Sequence, residues 1–472
     1  MTIRRKSIKA VSWQFAARAS DRLLRFVSSL ILARLLAPEA FGLLAATLSV
    51  IGFLETAAFV GTDHAIIQSK RFEDPRFLGS AFRVLLVRGV LLTAVLFAAA
   101  PAVAWYFEDP DITPMVRIVA FASLVRGLAN PWVAAERRNL HFKAFSLGMV
   151  LGGVTQVAVA VAGAWLGFGP ESLAAGFVAA AAATSLSGWL LVPRRIDLRR
   201  DPEALAEIRT FARRAAGVPF LMMLSAQSPS ILLGRFAGLD LLGVYTLQYR
   251  LSTLPTEIAL PILGNVLSPT YAQLRDDQDR LRAAWLRTMR VLAILVIPIT
   301  VAVLVLDERI PLVVYGERYA TIEWLMTMLG LSIFFQSITG GCGPLFWGLG
   351  RPEIDRNAVL IRLGIVYTAG LLMAIGANAV AFAAVTAGSM LVGLGYCLPK
   401  ACALTGASWR EVWHAMRPGM LLGLACFAAS SLAELALVRM GAPPLAQVLA
   451  ITVLCAAPTL AVLWRMRRTL GA

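Results

Sequence analysis

Four charged residues stand together near the start of the first strongly apolar segment, "SWQFAARASDRLLRFVSSLILARLL" (residues 12–36): Arg18, Asp21, Arg22 and Arg25. Their spacing of i, i+3, i+4 and i+7 places all four side chains on one face of an α-helix. Asp21 can pair with Arg25 one turn later, so the face keeps a positive charge. A face of this sign could attract an anion.

Length arithmetic places these charges inside a membrane span. A helix confined to residues 23–37 would be about 22 Å long, whereas the hydrocarbon core of a bilayer is about 30 Å thick. The span must start earlier, with Asp21, Arg22 and Arg25 within it. Charges at that depth usually face protein or a water-filled cavity. We predict that Arg22 and Arg25 face such a cavity; an interfacial helix or snorkelling to the headgroups is the alternative, and for Arg18 both readings stay open.

Three more arginines lie within apolar segments. Arg250 is roughly 16 Å from the outer end of its predicted helix, near the middle of the bilayer. Arg88 and Arg126 lie about 10–14 Å from the predicted cytoplasmic face, where either a cavity or snorkelling is compatible with the sequence. Together these arginines predict a positively charged cavity, which favours an anionic substrate over a cationic drug.

Carboxylates in the same segments are candidates for coupling to protons or ions. Glu55 and Glu257 lie in the inner halves of two predicted spans, and Asp21 lies in the first span. A carboxylate withdrawn from water can take up and release a proton near neutral pH. The alternative for each is a structural pair with a neighbouring arginine.

The composition is that of a helical protein that crosses a membrane many times. Of 472 residues, 58% are hydrophobic and 15% are charged, against about 25% charged residues in soluble proteins. Apolar runs of about 20 residues recur along the chain and predict about fourteen spans. The net charge of +16 does not indicate nucleic-acid binding, because the basic residues occur in small groups between these runs.

The distribution of basic residues predicts the topology. Most of the 44 Lys and Arg residues fall in alternate loops, which the positive-inside rule assigns to the cytoplasm. Both termini are then cytoplasmic, and the first span is retained rather than cleaved as a signal peptide. The five Cys lie in apolar runs without zinc-ligand spacing, and the three His are isolated, so we predict no metal and no cofactor.

A short internal repeat predicts two lobes. The segments "ILARLLAPEAFGLLA" and "ILLGRFAGLDLLGVY" are 201 residues apart. The matched pairs are Arg34 with Arg235, Glu39 with Asp240, and Gly42 with Gly243. Each segment lies at the outer turn between the first two spans of its half. We therefore predict two six-helix lobes related by a pseudo-two-fold axis along the membrane normal, with a central cavity at their interface.

The predicted domains follow from this repeat. Residues 1–195 form the first lobe with spans 1–6, and residues 196–214 form a cytoplasmic linker. Residues 215–400 form the second lobe with spans 7–12. Residues 401–472 hold two extra spans and a cytoplasmic tail.

Several longer stretches carry a family resemblance. In the first half these are "ILARLLAPEAFGLLA", "AIIQSKRFEDPRFLGSAFRVLL" and "ERRNLHFKAFSLG", and in the second "YRLSTLPTEIALPILGNVLSPTYAQLRDDQ" and "VVYGERYATIEWLMTMLGL". The sequence resembles the Wzx-type polysaccharide flippases of the MOP exporter superfamily over about residues 5–400. The shared motifs are structural and specify the substrate poorly.

The resemblance implies a MATE-like fold and a transport function. It implies movement of undecaprenyl-pyrophosphate-linked oligosaccharide across the bacterial inner membrane by alternating access, for O-antigen, capsule or exopolysaccharide biosynthesis. Membrane lipids, a polymerase and other assembly proteins are the expected partners. A pyrophosphate suits arginine, which forms paired hydrogen bonds with phosphate. The residues expected to hold it are Arg22, Arg25, Arg88, Arg126 and Arg250, with Arg18 as a further candidate.

Other functions stay open at this point. A lipid II flippase or a multidrug antiporter of the same superfamily would share the fold, although the positive cavity disfavours a drug antiporter. A membrane polysaccharide polymerase or ligase is a different class. The predicted outer loops are short and hold no His, so we expect no enzyme. A structural scaffold in a polysaccharide assembly complex is a further alternative.

Overall fold

The computed structural model describes residues 3–58, 61–139, 141–215 and 218–470. Within these ranges the side chains of residues 3–16, 213–215, 218–219, 255, 257–266 and 466–470 lie outside the description. The chain divides into two compact units, residues 1–243 and 244–472. The described part is helical throughout and contains no strand, so the all-α fold class is confirmed.

The first unit contains ten helices and the start of an eleventh among its described residues. They are α1 Ile3–Leu35, α2 Pro38–Ala57, α3 Thr62–Gln68, α4 Pro75–Phe107, α5 Ile112–Gly127, α6 Trp132–Arg138, α7 Lys143–Trp165, α8 Glu171–Leu191, α9 Pro202–Ala215, α10 Val218–Phe236 and α11 Leu239–Gln273, which continues into the second unit.

The second unit continues with nine further α-helices in the described part. They are α12 Gln278–Val305, α13 Arg309–Tyr315, α14 Leu325–Gly340, α15 Gly343–Gly348, α16 Pro352–Ile365, α17 Leu371–Ile375, α18 Ala379–Thr405, α19 Trp409–Arg439 and α20 Pro444–Leu470. A 3₁₀ turn covers Glu317–Tyr319, and a π turn, Val366–Gly370, joins α16 to α17.

Ten helical segments of the described residues are long and apolar enough to cross a membrane, which makes this a multi-pass membrane protein. The pair α5 and α6, bent by 61° across the break at residues 128–131, would add an eleventh. This number covers described residues only, and α1, α10 and α11 each include residues whose side chains lie outside the description. The expected fourteen spans, the symmetry of the lobes and the domain boundaries stay predictions.

Local sequence signals explain where several helices start. Asp74 accepts a hydrogen bond from the backbone N–H of Arg76, and Pro75 fits the first turn of α4. At α19, Ser408 and Glu411 form a reciprocal capping box. These caps satisfy backbone N–H groups that a helix cannot satisfy itself.

Glycines allow helices to approach closely within each unit. A methyl group on Gly89 of α4 would lie 2.7 Å from the carbonyl oxygen of Ser123 on α5, and Gly127 faces α4 in the same way. In the second unit, a methyl group on Gly419 of α19 would lie 2.5 Å from the backbone of Ala293. Small residues serve this purpose in membrane proteins, where van der Waals packing drives helix association.

The helix α9 lies within the predicted cytoplasmic linker and packs on the ends of α3, α4 and α6. Ile208 is buried in a cluster with Ile66, Phe77 and Trp132. At its start, the Asp201 carboxylate binds the Arg71 guanidinium, and this hydrogen bond lowers the pKa of Asp201 below its ordinary value. Apolar burial and an ion pair therefore fix α9 to the first unit.

Candidate functional site

The charged face of α1 forms an internal ion pair. The Nε of Arg25 donates a 2.9 Å hydrogen bond to Oδ2 of Asp21 one turn earlier. The Asp21 side chain is 12% exposed and that of Arg25 is 44% exposed. The second oxygen, Oδ1 of Asp21, is buried and has no hydrogen-bond partner. It faces Gly153 of α7, where an added methyl group would lie 3.2 Å away.

Asp21 and Arg25 open into a cavity of about 390 Å³ inside the first unit. Its walls come from α1, α5, α6, α7 and α8, with one residue each from α3 and α4. Among the described residues that line it, the charged ones are three arginines and two aspartates: Arg25, Arg126, Arg137, Asp21 and Asp63. Arginines outnumber carboxylates by one in this lining, and Glu55, which binds Arg126 from outside it, balances the charge. The guanidinium groups at the wall suit an anionic group that can take the place of these carboxylates.

Arg126 enters this cavity from α5 and is held by Glu55 of α2. Its Nη1 lies 2.8 and 2.9 Å from the two carboxylate oxygens of Glu55. Ser123 adds a 3.0 Å hydrogen bond to the same carboxylate. The guanidinium carbon of Arg126 lies 4.8 Å from the ring centroid of Phe177 on α8. The structure thus gives Glu55 the arginine partner that was the alternative to a coupling role.

Arg88 lies on the other side of Glu55. Its Nη2 donates a 2.8 Å hydrogen bond to the backbone carbonyl of Glu55. Arg88 does not line the cavity with Arg25 and Arg126 but faces a separate groove together with Arg83 and Arg200. Glu55 consequently connects the two regions, through its carboxylate on one side and its carbonyl on the other.

The remaining candidates are not brought into this cavity. Arg18 and Arg22 are exposed on α1 and are not among its lining residues. Arg250 is exposed on the part of α11 that belongs to the second unit. The side chain of Glu257 lies outside the described residues.

Three lining residues were missed by the sequence analysis. Arg137 of α6 pairs with Asp63 of α3 at 3.4 Å and stacks on Phe145 at 4.6 Å. Gln156 lines the cavity from α7, and its Oε1 is buried without a hydrogen-bond partner. The sequence signal available for this cavity was Gln156 itself, a large uncharged polar side chain in the apolar segment of α7.

Metal ligation has no support in the described part of the chain. No group of three or more His, Cys, Asp or Glu is placed there to hold an ion. All five Cys are buried and free.

A bundle of apolar helices around an arginine-lined cavity is typical of a membrane transporter. Comparison with known families supports this class of protein. The family model described as "Polysaccharide biosynthesis protein" matches residues 31–323. The chain belongs to this family. This match and the relatives named below confirm the predicted resemblance to Wzx-type polysaccharide biosynthesis proteins.

Named relatives cover most of the sequence. The chain is 26% identical over 430 residues to the succinoglycan biosynthesis transport protein ExoT of Rhizobium meliloti (strain 1021), covering 90% of this chain and 83% of the relative. It is 24% identical over 364 residues to the lipopolysaccharide biosynthesis protein WzxC of Escherichia coli (strain K12), covering 75% and 72%. Both relatives are named for polysaccharide biosynthesis.

Solved structures share the fold. The lipid II flippase MurJ in an inward closed conformation matches with a TM-score of 0.73, covering 99% of this chain and 100% of that chain at 12% identity. An inward-facing multidrug resistance MATE family transporter of the MOP superfamily matches with a TM-score of 0.65, covering 82% and 96% at 17% identity. At these identities the likeness establishes the architecture alone.

Proposed function

We propose that this protein is a flippase that moves undecaprenyl-pyrophosphate-linked oligosaccharide across the bacterial inner membrane by alternating access. The observation that carries the proposal is the arginine-lined cavity in a member of the polysaccharide biosynthesis family. The names of ExoT and WzxC support transport in polysaccharide biosynthesis. The proposal includes cytoplasmic termini and partnership with polymerase and other assembly proteins.

Arg25 and Arg126 are the residues we assign to the pyrophosphate first. Both line one cavity, and both are held by a carboxylate that a phosphate could replace as the hydrogen-bond acceptor. Arg22, Arg88 and Arg250 are proposed to contact the same group at other stages of transport. Arg18 is proposed to meet the substrate at the entrance.

Asp21 is the coupling candidate that the geometry favours. Its Oδ1 is buried without a partner and could accept a proton or a cation while Oδ2 stays bound to Arg25. Glu55 is engaged by Arg126 and Ser123, so we propose that it acts mainly by positioning Arg126. Glu257 stays a coupling candidate because the sequence places it in the inner half of a predicted span.

Polysaccharide export, measured in a strain that lacks the chromosomal gene for this protein, tests this assignment. Complementation with Arg25→Ala, Arg126→Ala or Arg250→Ala should abolish polysaccharide export when export is compared at equal amounts of protein in the membrane. Arg117→Ala is the matched control, because Arg117 is also on α5 but is exposed and stacks on Phe97. Unchanged export by the three variants would refute the site.

Lipid II transport is a second candidate, because the MurJ structure matches over the whole of both chains. Complementation experiments in cells distinguish the two functions. Rescue of a strain depleted of its lipid II flippase would favour lipid II, and rescue of export alone would favour a polysaccharide precursor. The excess of arginines in the cavity argues against a cationic drug.

A further inference from the structure

A second and larger hollow lies within the first unit, between α2, α4 and α9. This groove has a volume of about 1120 Å³, above the roughly 300–1,000 Å³ that is usual for small-molecule pockets. One wall is a stripe on α4 formed by Val84, Val87, Leu91 and Val95. Three of these side chains are half exposed or more, at 57%, 60% and 50% for Val87, Leu91 and Val95.

The groove has a basic end beside α9, formed by Arg83 and Arg200. Arg83 donates a 2.6 Å hydrogen bond to the backbone carbonyl of Arg199, and its buried Nε has no hydrogen-bond partner. A carbonyl is neutral, so this hydrogen bond leaves the charge of Arg83 uncompensated. Asp197, an acid close to Arg199 in the sequence, pairs with Arg76 instead.

Two further acids follow Arg200. The carboxylate of Glu203 is 92% exposed and lies 3.9 Å from Arg71. Asp201 follows Arg200 directly, but its carboxylate accepts hydrogen bonds from Arg71 and from the backbone of Ala204. The basic end of the groove therefore keeps its positive charge.

The dimensions of the groove match one leaflet of a bilayer. From Arg83 to Val95 the helix rises about 18 Å, and half of a hydrocarbon core is about 15 Å. The helix α4 has 33 residues, or about 50 Å, so its first turns extend beyond the core. Arg83 then lies at headgroup level, and the apolar stripe lies beside acyl chains.

We propose that this groove binds an anionic phospholipid of the cytoplasmic leaflet. The phosphate lies between Arg83 and Arg200, and one acyl chain lies along Val87, Leu91 and Val95. Basic pockets between spanning helices on the cytoplasmic side bind anionic lipid headgroups in this way. A zwitterionic headgroup would bring its own cation toward the two arginines and is disfavoured. The groove also contains Arg88, which we assigned to the transported pyrophosphate, and the competition experiment below separates phospholipid from substrate.

Lipid binding by the purified full-length protein tests the site. Delipidated protein is titrated with phosphatidylglycerol or phosphatidylcholine, and retained lipid is counted by native mass spectrometry. We expect tight binding of one phosphatidylglycerol, weakened about tenfold or more by R83Q/R200Q, which removes two charge-assisted hydrogen bonds. The control R199Q/R209Q removes two arginines from the same region that do not line the groove. Equal binding by both double variants, or equal binding of both lipids, would overturn the proposal.

A second variant keeps the charges and fills the groove. Val87→Trp should abolish phosphatidylglycerol binding while the protein elutes as a single species with an unchanged Tm, because Val87 is exposed. Retained binding would refute the position of the acyl chain.

Competition distinguishes the possible sources of the phosphate. Glycerol phosphate should fail to displace the lipid, since it lacks acyl chains. Displacement by equimolar glycerol phosphate would show a free-phosphate site and overturn the proposal. Tighter binding of undecaprenyl phosphate than of phosphatidylglycerol would assign the groove to substrate and would overturn it equally.

Discussion

Gly42 of α2 and Gly243 of α11 make the same close contact with exchanged partners. A methyl group on Gly42 would lie 1.8 Å from the carbonyl oxygen of Leu239, and one on Gly243 would lie 1.8 Å from that of Pro38. Pro38 and Leu239 are separated by 201 residues, as are the two glycines. The two copies of the short sequence repeat therefore contact each other reciprocally, where the first turns of α2 and α11 cross within the first unit.

Gly42→Ala should destabilise the protein, because the new methyl group has no space beside a backbone carbonyl. Overpacking of this kind costs about 1–3 kcal/mol or more, and it should lower both the Tm in detergent and the level in membranes. Gly388→Ala is the matched control, since Gly388 is helical and no atom lies within 4 Å of its added methyl group. That variant should be neutral or more stable by up to about 1 kcal/mol. Equal Tm values for the two variants would contradict the close crossing.

The ion pair of Glu55 with Arg126 predicts asymmetric mutational effects. Arg126→Ala leaves a carboxylate that is 23% exposed without its cation, at a cost of roughly 1–3 kcal/mol after allowing for the exposure of Arg126. Glu55→Gln should cost less, because an amide can still accept hydrogen bonds. A double-mutant cycle measured by thermal unfolding should show a favourable coupling energy. Additive effects would mean that the two side chains do not interact.

The sequence predicted the helices and the shared face of α1, because hydrophobicity and helical periodicity are local properties. Arg25 pairs with Asp21 at the expected spacing. The sequence could not indicate which distant side chains contact this face of α1. Glu55 and Arg126 are 71 positions apart, and Asp63 and Arg137 are 74 apart. Their contacts depend on how whole helices pack, which neither hydropathy nor charge counts specify.

The same limit explains the positions of the other arginines. The sequence placed Arg88 and Arg126 at similar depths, and depth alone suggested one cavity. In the structure they lie on opposite sides of Glu55, in a groove and a cavity respectively. The bend between α5 and α6 could not be predicted either, because a straight and a bent apolar segment have the same hydropathy.

Acid should loosen α9 from the first unit. The hydrogen bond from Arg71 lowers the pKa of Asp201 below its ordinary 3.8. A lowered folded-state pKa means that this stabilisation is fully present above about pH 4 and is lost as the pH falls through the lowered value. Hydrogen exchange of the α9 amides should therefore be constant between pH 5 and pH 7 after correction for intrinsic rates, and faster below about pH 4.

Asp201→Asn provides the control for that measurement. It removes the titrating group, so exchange in α9 should be faster at neutral pH and should change less on acidification. An α9 that stays protected in this variant would show that the apolar cluster around Ile208 alone holds the helix.

Translocation by the purified protein tests the central claim most directly. The protein is reconstituted into liposomes with an undecaprenyl-pyrophosphate-linked oligosaccharide, and the fraction that reaches the opposite leaflet is followed by enzymatic modification of the exposed sugar. The account predicts translocation by the wild-type protein and by Arg117→Ala, and a loss of about tenfold or more for Arg25→Ala. Wild-type protein without translocation, or Arg25→Ala with the wild-type rate, would contradict it.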